Sequence, residues 1–183
     1  MSRRRVRLTL AAVLTTACVA ASIALVAGAA ARDSHDNGGG KLRAHLVGFG
    51  EVPPVNSAGH ADLRATVTPD KITFVLTYAD LSGVPAAAHI HVGQPGVNGG
   101  VSVFFCGGGG KPACPASTSG TVTGTIVAAD VVGPTAQGFQ AGDLAALERA
   151  IRAGVTYANM HTANFPNGEI RGQVRTRHGH FEH

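Results

Sequence analysis

The sequence predicts an all-β domain, a sandwich or a partly closed barrel, and three observations predict it. From Lys41 to Val174 the chain divides into short alternating or β-branched segments. Gly, Pro, Asn and Asp punctuate those segments, as the turns between antiparallel strands require. With no Trp and only 5% aromatic residues, the core must be built from Val, Leu, Ile, Ala and Phe.

Taken in order, residues 32–40 (Arg-Asp-Ser-His-Asp-Asn-Gly-Gly-Gly) are polar and aperiodic and read as a flexible linker ahead of a domain over 41–176. Strands are expected near 42–49, 60–68, 71–79, 86–92, 101–105, 119–128, 155–162 and 168–176. Pro69-Asp70 supplies the turn of the clearest hairpin, between Leu63–Val67 and Ile72–Leu76. One helix precedes the last two strands: Leu144, Leu147 and Ile151 recur at helical spacing, Asp143 suits the N-terminal turn, and Gly154 suits the exit. Glu51-Val52-Pro53-Pro54-Val55 is expected to be rigid and extended, because each proline fixes its own φ and restricts its predecessor. Residues 177–183 form a polar tail whose His178, His180 and His183 read as a frayed end.

Ahead of the domain, residues 1–31 read as a secretory signal. Arg3, Arg4, Arg5 and Arg7 form a basic start, and no charge follows until Arg32. Small residues from Ala27 to Ala31 offer cleavage points after Ala29 or Ala31. The alternative is an uncleaved anchor, the one route by which this chain would meet a membrane. Acylation at Cys18 is disfavoured because half the apolar run would stay behind, and the residues after Arg3-Arg4 fit twin-arginine export poorly. Four of the fifteen Lys and Arg residues leave with the signal, so eleven face eleven Asp and Glu. A formally neutral chain without a basic cluster gives no reason to expect nucleic acid as a partner.

The exported chain keeps Cys106 and Cys114, which flank a Gly-rich loop. In an oxidising compartment such a pair reads as a disulfide that pins the loop, and seven intervening residues do not match short zinc spacing.

Strand parity gathers the residues able to carry chemistry. In Ala88-His89-Ile90-His91-Val92 the period of two puts His89 and His91 on one face. Tyr157, Asn159 and His161 share a face of the segment 157–162, and Glu169, Arg171 and Gln173 share one of 168–174. If these strands neighbour one another, their apolar faces build core and their polar faces meet. Three imidazoles, His89, His91 and His161, would then supply a nitrogen set that suits copper or zinc, with Glu51 or Glu169 as a fourth ligand or an orienting group. The same residues also suit a hydrogen-bonded network in which Glu51 or Glu169 balances Arg171. The loops 93–100 and 163–168 follow directly on the histidine strands and are placed to form the mouth of a site.

In these ordered segments the chain resembles the chordin-type CHRD domain family from about Leu42 to Val174: Glu51-Val52-Pro53-Pro54, Ala88-His89-Ile90-His91, the Asp143–Gly154 helix, Tyr157 to Thr162, and Gly168 to Gln173. Met160 stands where an aliphatic residue is more usual in that family. The resemblance implies an immunoglobulin-like, Greek-key β-sandwich, found in extracellular animal proteins and secreted bacterial ones, with no established enzymatic activity and no agreed ligand. His89-Ile90-His91 is also similar to the copper-binding strand of copper/zinc superoxide dismutases, though over a handful of residues only. No zinc loop is recognisable here, and Cys106 and Cys114 are too close in sequence to match that family's long-range disulfide.

Two functions follow as expectations. One is a secreted, non-catalytic binding or structural module with an unidentified extracellular ligand or protein partner. The other is an extracytoplasmic copper- or zinc-binding protein that uses the three histidines. An enzyme is disfavoured because no Ser-His-Asp arrangement can be traced and the carboxylates near a motif, Glu51 and Glu169, are placed to neutralise Arg171.

Overall fold

Alternating burial along each segment shows why this chain makes strands: β1 (Lys41–Val47), β2 (His60–Thr68) and β3 (Lys71–Ala79) bury every second residue against one core. The computed structural model describes residues 40–177. Expectations for the signal with Cys18 and the Arg3-Arg4 pair, for nearly all of the linker and for the tail histidines lie outside the described residues. The remaining strands are β4 (Pro85–Val92), β5 (Gly100–Cys106), β6 (Gly120–Val127), β7 (Thr156–Thr162), β8 (Ile170–Gln173) and β9 (Arg175–Arg177).

All pairings described are antiparallel, in the order β5-β4-β7-β8-β1-β2-β3-β6, with β9 also paired to β1. The edge strands β5 and β6 meet across the open side, so the sheet is nearly closed around its core. The all-β expectation holds. Fully buried Leu46, Leu63, Leu76, Ile90, Ile126 and Ile170 form the centre of that core, each contributing roughly 1.5–3 kcal/mol by leaving water. Phe74 and Phe105 add an aromatic contact with ring centroids 4.6 Å apart.

The β2–β3 turn falls at Pro69-Asp70 as expected, and Thr68 Oγ1 donates to Asp70 Oδ1 at 2.7 Å to hold it. Helix α1 (Leu144–Arg152) starts where the Asp143 carboxylate accepts from the Ala146 amide at 2.8 Å. It inserts Leu144, Leu147 and Ile151 into the core and ends at Gly154, whose φ of 71° is left-handed.

Two expectations change. The last expected strand, 168–176, begins later and is divided into β8 and β9 at Val174, whose amide donates to Thr156 of β7. Register with β1 is kept across the break, Val47 facing Arg171 and Arg43 facing Arg175. At Gly172 the two strands approach so closely that a Cβ would fall 2.0 Å from the His45 carbonyl oxygen. The segment expected to run extended from Glu51 instead follows a 3-10 turn at Gly48–Gly50, bends through 51–53, and contains a cis Val52–Pro53 bond.

Candidate functional site

Strand parity and sheet order together build the site. β4, β7 and β8 are neighbours, with His89 facing Asn159, Asn159 facing Arg171, and His91 facing Tyr157. Ala88, Ile90, Ala158, Met160 and Ile170 on the opposite face are core residues. The polar side chains therefore stand on the sheet face turned away from the core.

His89 is central: its ring centroid lies 4.6 Å from those of both His91 and His161. Each imidazole offers a ring nitrogen, and these nitrogens all lie within 4.8 Å of one another. His91 Nδ1 lies 2.8 Å from the Gly99 carbonyl, and His161 Nδ1 lies 2.9 Å from the Pro166 carbonyl. A carbonyl only accepts, so each Nδ1 carries the proton and each Nε2 keeps its lone pair. Both Nε2 atoms are buried without a hydrogen-bond partner, as is His89 Nδ1.

Loops close over these rings. The buried Arg171 guanidinium donates to Asn98 Oδ1 at 2.8 Å and to the carbonyls of Val97 at 2.8 Å and Gln94 at 3.3 Å, anchoring the loop that presents Gly99. It also lies 3.4 Å from the centre of the Tyr157 ring, whose other face stacks on His91 with 4.6 Å between centroids and 3° between planes. The Asn98 amide donates to the Val52 carbonyl at 3.1 Å, joining this loop to the one carrying Glu51.

Burial governs the electrostatics. It pushes the His89 imidazole down to about 3, reinforced by His91 and His161 and opposed by the Asn159 amide. His91 and His161 are also held below the ordinary histidine range, chiefly by burial, against the backbone carbonyls that favour their protons. All three rings are thus neutral at neutral pH, the form that can donate a lone pair. Glu51 is pushed up to about 7 by burial, with Arg171, the Val52 amide and Asn159 pulling the other way.

Among the residues expected to share this site, the structure brings together His89, His91, His161, Tyr157, Asn159 and Arg171, with Glu51 beside Asn159 and Arg171. Glu169 has other partners. Its fully buried carboxylate accepts from Ser57 Oγ at 2.6 Å, Thr162 Oγ1 at 2.6 Å, the Ser82 amide at 2.7 Å and Ser82 Oγ at 2.8 Å. Its position ahead of β8, just after Gly168 with φ of 125°, frees it from the alternation that places Arg171.

Sequence reasoning marked the two loops as a mouth but missed their carbonyls, which orient the histidines through backbone atoms that carry no side-chain signal. It also missed Phe104, whose ring meets His89 edge-on at 5.0 Å. Phe104 links the site to the bridge between Cys106 and Cys114, since Cβ atoms on Gly108 and Gly109 inside that disulfide loop would fall 2.5 Å from its ring.

A family model described as the CHRD domain matches residues 42–174. The chain belongs to the CHRD domain family. Its match begins in β1 and ends at Val174, so it contains every residue of the three-histidine site. No curated protein and no solved structure matches this CHRD chain.

Proposed function

We propose that this CHRD domain is an exported, non-catalytic binding module that holds one copper or zinc ion through His89, His91 and His161. The carrying observation is the set of three buried, unpartnered ring nitrogens on neutral imidazoles. A buried polar atom without a partner costs about 1–3 kcal/mol, and an ion shared by three of them removes that cost at once. Carbonyls on the remote nitrogens of His91 and His161 supply the second-layer orientation usual for metal-bound histidine. Nitrogens bound at about 2.1 Å to one tetrahedral ion lie about 3.4 Å apart, so loading draws the rings inward from separations of up to 4.8 Å. Glu51, on the adjoining loop, is the carboxylate available to complete or balance the site. Export is supported by the leader-like residues 1–31 and by a disulfide that fits an oxidising compartment. Among the described residues no helix is long and apolar enough to cross a membrane.

Elemental analysis of protein purified from its exporting host tests this directly. One equivalent of copper or zinc is expected, lost in His89→Ala and His91→Ala variants that still fold by circular dichroism. Metal-free wild-type protein that refuses both ions on titration, together with unfolding of those variants, would assign the histidines to a purely structural network.

A further inference from the structure

The sheet face that carries the histidines also carries, three strands away, a row of positive charges that form no ion pair among the described residues. Arg43 of β1 lies directly opposite Arg64 of β2 and directly opposite Arg175 of β9. Directly opposed residues on one face have Cβ atoms about 5 Å apart, where like charges destabilise a sheet. All three arginines are exposed, and none is in an ion pair among the described residues. They line a surface groove of about 520 Å³. Among the described residues Asp62 is the single carboxylate lining it, and its Oδ1 is taken by His45 Nδ1 at 3.1 Å.

We propose that this groove binds a soluble polyanion bearing closely spaced phosphate groups. Guanidinium forks grip oxyanions such as phosphate in a two-point geometry that an ammonium group cannot form. Three of them abreast on strands about 4.8 Å apart span roughly 10 Å, which suits successive phosphates of one chain better than an isolated anion. Local sequence choices that raise energy in the free fold are the ones that functional sites retain, and a row of facing arginines in an otherwise charge-balanced domain is such a choice. A bilayer is the poorer fit: Ala44 and Leu63, the apolar residues at the groove, are buried in the core and leave no apolar side chain to enter lipid.

Calorimetric titration of inorganic tripolyphosphate into the exported protein, stripped of metal because the probe chelates, tests the groove. Expected is one-to-one binding that weakens steeply with added salt and falls about tenfold or more in an Arg43→Ala/Arg64→Ala variant. Arg149→Ala, an exposed arginine on α1, leaves it unchanged. Relief of repulsion keeps the double variant at least as heat-stable as wild type, so lost binding there is not lost folding. Absence of binding at millimolar tripolyphosphate, or equal affinity in the double variant, overturns the proposal. Binding to anionic phospholipid vesicles without binding to tripolyphosphate overturns it too, in favour of a membrane-docking face.

Discussion

Glu169 and Arg171, two residues apart, show how differently the fold treats two buried charges. Burial alone would raise the Glu169 pKa, but hydrogen bonds from Ser57, Thr162 and Ser82 outweigh it and hold the carboxyl below its ordinary value of 4.5. A depressed folded-state pKa means stability that is fully present above about 4.5 and lost as pH falls through the lower folded value. Glu169→Gln should therefore cost about 3 kcal/mol in urea unfolding near neutrality. The gap from wild type should shrink as both are acidified below pH 4.5. A constant gap across that range would show that the charge of Glu169 is not what its hydroxyl partners hold. Arg171 instead spends its donors on a loop. Arg171→Lys keeps the charge but loses the planar fork that reaches Asn98 and Val97 while lying on Tyr157. Hydrogen exchange across residues 93–99 should accelerate, with little change in the core strands.

Among the elements, β4 and the disulfide loop after β5 are coupled through Phe104. The bridge closes a short loop, and chain entropy gives it about 2.5 kcal/mol. A Cys106→Ala/Cys114→Ala variant should lose stability of that order in chemical unfolding. Because Gly108 and Gly109 lie on the Phe104 ring and that ring meets His89, the imidazole resonance of His89 should also shift and broaden in NMR spectra of the variant. Unchanged His89 resonances would limit the bridge to a local role. Helix α1 was legible in nearly full detail, from the Asp143 cap to the Gly154 exit, because capping and apolar period are properties of adjacent residues. The division of β8 from β9 was not, since it depends on Val174 pairing with Thr156 on a strand eighteen residues earlier.

At the scale of the whole molecule, a single sheet distributes distinct chemistry along one face: imidazoles over β4 and β7, a stacked Tyr157–Arg171 pair over β7 and β8, and arginines over β9, β1 and β2. A ligand that binds only the folded state stabilises it by mass action. Copper or zinc at a hundredfold excess over its dissociation constant should thus add about 2.7 kcal/mol to unfolding. In calorimetry the melting temperature should rise with the logarithm of free metal for wild type and stay flat for His91→Ala.

Within the regular strands the sequence by itself determined which side chains share a face, and it failed at Glu169, which precedes β8. Alternation along a strand is a consequence of backbone geometry, so His89 with His91, and Tyr157 with Asn159 and His161, could be paired off without knowing the fold. The same locality marked the turns, the helix and the cysteine pair. Tertiary structure decided which faces meet. Only the sheet order puts β4 beside β7 and β7 beside β8, brings the carbonyls of Gly99 and Pro166 onto the remote histidine nitrogens, and sends Glu169 to Ser57 and Ser82. It likewise sets Arg43 between Arg64 and Arg175, residues more than a hundred positions apart. Neighbouring strands are selected by packing of the entire core, a sum over distant residues to which no local period gives access.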